Sequence, residues 1–351
     1  MVQPLESGEM VIIDGSEGEG GGQVLRTALT LSLITGRPFR MTNIRAKRSK
    51  PGLKAQHLQC VRASAKIFAG ECEKARKNAT EIMFTPGEVK PGSYDFSIGT
   101  AGSTSLLLQT LVLPLAFSGG GKLTLSGGTH VEWAPIFDYI KLQFLPHLKK
   151  LGIYSKASMK TAGFYPKGGG TIVVELEGCE KLQPINMTER GRLRYVSVYT
   201  IIGNLPLEIA QRMSRHALKL LGREGIEASE KIIPVPSPGP GICIVVDVKF
   251  EGGACCFSVL GKKGRRAEIV ATEAVDNFMV FLETNACIDE HLADQLLLPL
   301  SLADGESHFT TPKVTHHLLT NAYVIRKFLP VTIEIDGVHE LPGSVRIKRN
   351  A

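Results

Sequence analysis

Residues 22–37 read GQVLRTALTLSLITGR, a strongly apolar stretch opened by small and polar residues. Two later stretches share this layout: residues 102–117 (GSTSLLLQTLVLPLAF) and residues 292–303 (LADQLLLPLSLA). Each is apolar for longer than an ordinary strand and therefore predicts a buried helix. Three similar segments in one chain indicate an internal repeat.

The same succession of elements follows each of these helices. A turn leads to a short strand, then to a second helix, and then to two strands around another turn. The predicted strands are 39–44, 122–126 and 307–311, the second helices are 55–69, 134–151 and 315–328, and the strand pairs are 81–85 with 94–98, 153–159 with 171–175, and 331–335 with 344–347. A unit of helix, strand, helix, strand, strand is typical of mixed α and β layers.

The spacing of the copies predicts an inserted domain. Gln23 and Ser103 are 80 residues apart, whereas Ser103 and Leu292 are 189 apart, which leaves 109 additional residues before the third copy. Those residues carry their own pattern of strand 195–202, helix 205–221, strands 227–235, 242–250 and 255–260, and helix 264–283. We therefore expect residues 1–185 and 285–351 to form a large domain, and residues 186–284 a smaller inserted α/β domain.

Composition narrows the class of protein. The 351 residues suffice for two domains, and 41 basic against 34 acidic side chains favour an anionic partner such as a nucleotide or RNA. The seven cysteines are odd in number and form no C-x-x-C pair, so we expect free thiols rather than disulfides or a zinc site. Residues 1–10 carry no signal-peptide pattern, and no apolar run is long enough to span a bilayer. These features predict a soluble cytoplasmic protein.

A glycine-rich loop precedes the first helix. Residues 14–23 read DGSEGEGGGQ, and backbone N–H groups at such a helix start can bind an anion. The alternative is that the glycines only allow tight packing. Glu19 lies inside this loop and would repel phosphate unless a cation lay between them, which indicates Mg²⁺ or Mn²⁺. Otherwise Glu19 is an exposed acid that stabilises the helix start.

Basic residues concentrate just downstream. Arg26 is followed by Arg45, Arg48 and their lysine neighbours before Gln56. Arginine binds phosphate through two N–H groups at once, so this segment is a candidate seat for nucleotide phosphates or an RNA backbone. The alternative is a solvated basic loop.

The third copy contains a pair of histidines at a predicted helix start, His316 and His317. The positive end of a helix dipole favours neutral imidazole, which can attack phosphorus. The two side chains point about 100° apart, so only one of them faces a given site. Surface or capping histidines are the alternative. Asp294 and Gln295 could hold an adenosine or orient the imidazole, or could merely begin their own helix.

Taken together, these motifs resemble those of the RNA 3'-terminal phosphate cyclase family. The matching stretches are 14–26 (DGSEGEGGGQVLR), 44–57 (IRAKRSKPGLKAQH), 99–109 (GTAGSTSLLLQ), 126–129 with 134–135, 163–170 (GFYPKGGG), 292–295 (LADQ) and 317–321 (HLLTN). The resemblance implies an α/β (α+β) fold of three two-helix, four-stranded-sheet units about a pseudo-threefold axis, with a smaller inserted domain.

The resemblance also implies an ATP-dependent ligase-type reaction on RNA with a 3'-terminal phosphate. The family histidine, which matches His317, becomes covalently linked to AMP, and AMP then passes to the RNA before the 2',3'-cyclic phosphate forms. Glu19 would hold the divalent metal. The implied adenosine contacts are Gln109, Pro135, Asp294 and Gln295, and the implied phosphate contacts are Arg26, Arg45, Arg48 and Gln56.

One position departs from the family pattern, because His291 stands where a tyrosine that stacks on adenine is common. An imidazole can also stack, so the departure bears on nucleotide affinity or base preference. Three rivals were weighed: a non-catalytic cyclase-like protein of ribosome assembly, an enolpyruvyl transferase and a plain RNA-binding module. The first lacks the histidine that His317 matches, the second is built from six such units, and the third needs no ATP. A homodimer is also expected.

Overall fold

The computed structural model describes residues 9–89 and 92–350. The expectation that residues 1–10 carry no signal peptide therefore lies mostly outside the described residues. The chain is a mixed α/β protein with four four-stranded sheets in the described part, which confirms the predicted class. No helix in that part is long and apolar enough to cross a membrane. All seven cysteines are free thiols, as predicted.

The first sheet has the order β1-β2-β4-β3, and its first two strands run parallel. Its elements in chain order are β1 (Val11–Asp14), α1 (Gly22–Thr35), β2 (Phe39–Thr42), α2 (Ala55–Ile67), β3 (Glu71–Glu73) and β4 (Ile82–Thr85). Helix α1 ends at Gly36, whose φ of 71° lies in the left-handed region that favours glycine. Its apolar residues are buried almost all round, as its sequence predicts.

The second sheet has the order β5-β6-β8-β7. Its elements are β5 (Ser93–Ser97), α3 (Thr104–Phe117), β6 (Gly120–Gly127), α4 (Phe137–Tyr139), a π-helical segment (Ile140–Phe144), α5 (Leu145–Lys150), β7 (Ser155–Thr161) and β8 (Gly170–Glu177). The predicted pairing of 81–85 with 94–98 is wrong. Strand β4 pairs with β2 and β3, whereas β5 runs parallel to β6. The short strand β3, which the sequence analysis did not predict, takes the edge beside β4.

The predicted helix over 134–151 is also corrected, because it begins at Phe137 and contains the π-helical segment. Pro146 has no N–H to donate to the carbonyl of Leu142, so the regular helical bond cannot form there. The freed carbonyl of Leu142 instead accepts a hydrogen bond from Lys249 Nζ at 3.3 Å. Proline therefore explains both the irregular turn and this contact.

The third sheet has the order β15-β16-β14-β9, and a fourth has the order β11-β10-β12-β13. The remaining elements are β9 (Asn186–Met187), β10 (Leu193–Gly203), α6 (Leu207–Arg223), β11 (Ala228–Pro234), β12 (Gly241–Phe250), β13 (Ala254–Leu260), α7 (Ala267–Leu282), α8 (Glu290–Leu300), β14 (Glu306–Thr311), α9 (His316–Phe328), β15 (Val331–Gly337) and β16 (Gly343–Arg349). Every predicted helix is present within a few residues.

Apolar burial follows two main clusters. One joins side chains from the first three sheets and their helices, with Leu29, Leu111 and Leu297 all fully buried. The other lies between the fourth sheet and helices α6 and α7, around Val246 and Phe278. Within the first cluster, α1 contacts α2, α3 and α9. Helices α1 and α9 come from opposite ends of the chain, yet their first turns meet.

Candidate active site

The glycine-rich loop between β1 and α1 docks against α9. Gly18 has a φ of 58°, and a side chain there would approach Thr320 Oγ1 to 2.2 Å. The next residue, Glu19, donates its backbone N–H to the same hydroxyl at 3.2 Å. Asp14 holds the start of the loop by accepting from Ser16 N at 2.9 Å. Glycine at position 18 thus allows the loop to bring Glu19 up to α9.

His317 is the second residue of α9 and lies between Glu19 and Gln23. Its Nε2 is 2.8 Å from Glu19 Oε2, and its Nδ1 makes a short contact with Gln23 Oε1. The amide of Gln23 also donates to Asp294 Oδ2 at 2.8 Å. Gln23 therefore links the imidazole to Asp294, so the alternative in which Asp294 orients the imidazole matches the structure. The residue that caps α8 is Asp289, which accepts from Leu292 N at 3.0 Å.

Asn321 on α9 hydrogen-bonds to both α1 and α8, the helices that carry Gln23 and Asp294. Its Nδ2 donates to the carbonyl of Asp294 at 2.9 Å, and its Oδ1 accepts from Thr27 Oγ1 at 2.7 Å. The side chain is buried, where a lost hydrogen bond would destabilise the fold by about 1–3 kcal/mol. This arrangement fixes α1, α8 and α9 around the imidazole.

The contact between Glu19 and His317 shifts the pKa of both groups. It lowers the pKa of Glu19 to about 2, and it raises the pKa of His317 above the ordinary histidine value. The carboxylate therefore acts on the ring in the direction opposite to the helix dipole, from which a neutral imidazole was expected, because it lies in direct contact with the ring.

Burial raises the pKa of Asp294 to about 6. Because this value is above the ordinary one of 3.8, the folded state holds a proton that the unfolded state has lost between about pH 4 and pH 6. As the pH rises through this window, we expect the contribution of Asp294 to the free energy of unfolding to fall by on the order of 2–3 kcal/mol. Chemical unfolding at several pH values measures it. Asp294→Asn should flatten the dependence, and the exposed control Asp304→Asn should not; parallel profiles for the two variants would contradict the assignment.

Two arginines of the predicted phosphate seat reach the imidazole cluster. Arg48 forms an ion pair with Glu19. Burial lowers the pKa of Arg26 on α1, and the nearby charges of Asp294 and Glu19 partly offset this effect. His57 lies on α2 beside Arg26, and burial lowers its pKa to about 3. The two guanidiniums and the N-terminal ends of α1 and α9 provide this edge of the cluster with positive groups suited to phosphate.

The other two predicted phosphate residues, Arg45 and Gln56, bond to backbone groups in this state. Arg45 Nη1 donates to the carbonyls of Lys50 and Gly52 at 2.9 and 3.0 Å. Gln56 Oε1 accepts from Ser103 N at 2.9 Å, at the start of α3. Both residues therefore shape the backbone beside the cluster.

Three of the predicted adenosine residues, His291, Asp294 and Gln295, lie on α8, and Gln109 contacts it. Gln109 Nε2 donates to Gln295 Oε1 at 2.8 Å, which joins α3 to α8 next to Asp294. His291, on the first turn of α8, has 73% of its side chain exposed and is near enough to lower the pKa of Asp294. Pro135 lies half-buried in the loop before α4.

A divalent metal would find a single carboxylate here. Among residues 9–89 and 92–350, no group of three or more His, Cys, Asp or Glu side chains could hold a metal ion. Glu19 Oε2 is buried, and although His317 Nε2 is near, it makes no well-aligned hydrogen bond in the described part of the chain. Glu19 Oε2, once released from its contact with His317, fits Mg²⁺ that arrives with nucleotide phosphates, since Mg²⁺ is commonly bound by one or two carboxylates plus substrate oxygens.

Three residues of the cluster were not singled out from the sequence. Gln23, Thr320 and Asn321 lie inside the quoted motifs, but their roles depend on the meeting of α1 with α9. The sequence separation is 294 residues for Gln23 with His317, so local patterns could not reveal the contact. A polar residue among apolar ones in a predicted buried helix is the one signal that could have found Gln23 and Asn321.

The chain is similar along most of its length to proteins of one known family. The family model described as RNA 3'-terminal phosphate cyclase matches residues 17–335. A curated RNA 3'-terminal phosphate cyclase of Methanopyrus kandleri is 40% identical, with 97% of this chain and 99% of that protein covered. One of Trichormus variabilis is 42% identical over 91% of this chain and 94% of its own. A solved EPSP synthase from Acinetobacter baumannii aligns with a TM-score of 0.27 and 11% identity over 92% of this chain and 62% of its own, a likeness too low to inform fold or function.

Proposed function

Because the chain belongs to the RNA 3'-terminal phosphate cyclase family, we propose that it is an ATP-dependent ligase-type enzyme that converts an RNA 3'-terminal phosphate to a 2',3'-cyclic phosphate. The observation that supports this activity is the imidazole of His317, held between Glu19 and Gln23 beside two arginines. A plain RNA-binding protein would have no use for an oriented imidazole in contact with a carboxylate.

The proposed reaction has three steps. His317 attacks the α-phosphorus of ATP, so a nitrogen–phosphorus bond forms and pyrophosphate leaves. An oxygen of the RNA 3'-phosphate then attacks the same phosphorus, which breaks the bond to histidine and gives an RNA-adenylate. Finally the adjacent 2'-hydroxyl loses its proton and attacks the RNA phosphorus, and AMP leaves. Adenylation supplies the leaving group that a phosphate monoester lacks, and the 2'-hydroxyl is already in position.

The hydrogen-bond pattern supports Nε2 of His317 as the attacking nitrogen. Gln23 Oε1 can only accept, so Nδ1 of His317 carries the proton in that contact. Nε2 is then the nucleophile, once it has lost its proton and the contact with Glu19 has opened. A divalent metal, Mg²⁺ or Mn²⁺, bound by Glu19 would neutralise the charge of the triphosphate. Because Arg48 pairs with the same carboxylate, its guanidinium would become free for phosphate in that state.

The remaining residues are assigned by the same reasoning. We propose that Asp294 acts both on the imidazole, through Gln23, and on the adenosine. The other proposed adenosine contacts are Gln109, Pro135, His291 and Gln295, and the proposed contacts to phosphates of ATP or RNA are Arg26, Arg45, Arg48 and Gln56. The proposed setting is the cytoplasm, and a homodimer is the proposed assembly.

We also propose that the fold consists of three repeated units and an inserted domain. Three sheets share one strand order, in which the first two strands of each are parallel neighbours and the fourth lies between the second and the third. The fourth sheet, with α6 and α7, falls between β9 and α8 of the third unit. This supports boundaries near residues 185 and 285 and an arrangement about a pseudo-threefold axis.

The test is conversion of a single-stranded RNA bearing a 3'-phosphate. The purified protein, ATP and Mg²⁺ or Mn²⁺ should make its end resistant to phosphatase, with one AMP and one pyrophosphate released for each end. RNA ending in a 2'-deoxynucleotide 3'-phosphate is the control, because it can be adenylated but cannot cyclise. If the ribose end stays sensitive to phosphatase both with Mg²⁺ and with Mn²⁺, the proposed activity is wrong.

A further inference from the structure

Trp133 is the only tryptophan of the chain, and it is 96% exposed. Its φ of 62° lies in the left-handed region, which is unfavourable for a bulky side chain by about 1–3 kcal/mol. A strained backbone that holds a large ring almost wholly in water gives no benefit to folding. The position therefore indicates a surface kept for a ligand.

A second exposed ring comes from a neighbouring segment. Tyr165 is 75% exposed, and it directly follows Phe164, whose backbone pairs with that of His130. The carbonyl of Gly163 accepts from His130 N at 3.1 Å, and the rings of His130 and Phe164 lie 5.1 Å apart. Trp133 and Tyr165 thus lie within three residues of a common base formed by His130 and Phe164, whose backbones pair and whose side chains are buried.

That base is rigid. The buried imidazole of His130 has Nδ1 2.8 Å from Thr129 Oγ1 and Nε2 2.9 Å from Asp138 Oδ2. The same hydroxyl accepts from Gly163 N at 2.9 Å. Both ring nitrogens are occupied, so this histidine positions the two loops and is not free for chemistry. The aromatic rings are therefore presented by a fixed scaffold, which reduces the entropy lost on binding.

Basic side chains surround these rings. Lys167 follows Tyr165 in the same exposed turn and lies against Gly239 of the 235–240 turn. Lys262 Nζ is 2.5 Å from Glu132 Oε1, next to Trp133, and Lys263 beside it is exposed. We call Trp133, Tyr165, Lys167, Lys262 and Lys263 the aromatic rim. Its composition of exposed rings and lysines is suited to an unpaired nucleic-acid strand.

The loop that carries Trp133 is joined to the start of α3 by backbone hydrogen bonds. Gly128 N donates to the carbonyl of Gly102 at 2.8 Å, and the carbonyl of Gly128 accepts from Thr104 N at 2.9 Å. These bonds attach the rim's base to the start of α3, where Gln56 also binds. Because Gln109 of α3 bonds to Gln295 next to Asp294, helix α3 connects this surface to the candidate active site.

We propose, resting on the function proposed above, that single-stranded RNA just upstream of the 3'-terminal phosphate binds the aromatic rim. Its bases stack on Trp133 and Tyr165, and its phosphates contact Lys167, Lys262 and Lys263. Stacking on aromatic faces tolerates any base, so the rim selects unpaired RNA ends without selecting sequence.

Trp133 itself reports the binding. Titration with a single-stranded RNA of about ten nucleotides, within the usual range for such grooves, should quench the tryptophan fluorescence. RNA with a 3'-hydroxyl and no ATP should quench it too, so this result does not depend on catalysis. Unchanged fluorescence at RNA concentrations that are cyclised would show that RNA passes elsewhere, and would leave the rim as a surface for another class of partner.

Variants test the same proposal by labelled-RNA anisotropy. Trp133→Ala and Tyr165→Ala should each weaken RNA binding and raise the KM for long RNA by roughly fivefold to a hundredfold, while Trp133→Phe keeps most of the affinity. Formation of histidine–AMP and the KM for a dinucleotide 3'-phosphate should not change. Tyr154→Ala is the matched control, because Tyr154 is 48% exposed and its carbonyl bonds to Glu177 at the opposite end of the second sheet. Equal losses for long and short substrates would overturn the proposal.

Discussion

His317→Ala should abolish the covalent AMP adduct and reduce RNA cyclisation by at least about 10⁴-fold. The expected loss is this large because removal of the nucleophile leaves only binding and charge stabilisation, as in enzymes that act through a covalent intermediate. Intact-mass measurement after incubation with ATP and metal should show one added AMP on the wild-type protein. The adduct should be labile in acid, as a phosphoramidate is.

The neighbouring histidine supplies the control. His316 is the first residue of α9, and its ring lies 3.8 Å from that of His339, away from the Glu19 contact. His316→Ala should therefore keep the adduct. An adduct on the His317→Ala protein, or none on the wild type under either metal, would show that His317 is not the nucleophile.

Glu19→Gln should slow histidine–AMP formation by roughly 10²–10³-fold. The amide is a poor metal ligand, and the transition-state charge stabilisation that a bound metal supplies is several kcal/mol. The same change removes the contact that raises the pKa of His317, so that pKa should fall. In the metal-free protein, NMR titration of the histidine ring measures the shift without any turnover.

A second loop carboxylate makes the comparison sharp. Glu17 lies in the same loop and is exposed, so Glu17→Gln changes the same net charge two residues away. It should leave both the rate and the pKa of His317 near the wild-type values. If the two variants behaved alike, the effect would belong to the general charge of the loop, and the specific role of Glu19 would be wrong.

Local sequence patterns predicted most helices and the mixed α/β class because long apolar stretches such as α3 have one plausible fate, burial as a helix. They failed for strand pairing. Strands β4 and β5 are close in sequence, yet β5 pairs with β6 across helix α3 and completes a different sheet. Very short strands, such as β9 (Asn186–Met187), carry no alternation that a pattern can detect.

The site followed the same division. The resemblance located His317 and Glu19 in their motifs, and the structure places them in contact. The effect of the helix dipole on the pKa of His317 is local and can be read from the sequence, whereas the carboxylate that raises this pKa comes from a loop 298 residues earlier. Gln23, which links His317 to Asp294, depends on the same long-range packing.

The meeting of α1 with α9 also has a consequence for biosynthesis. Gln23 leaves the ribosome long before its partner His317, since 294 residues separate them. At synthesis rates of about 5–20 residues per second, roughly 15–60 s pass between the two events. During that time the glycine-rich loop has no imidazole beside it, so a nascent chain holds Glu19 and Arg26 without His317. If His317 is the nucleophile proposed above, a half-made protein cannot form the histidine–AMP adduct.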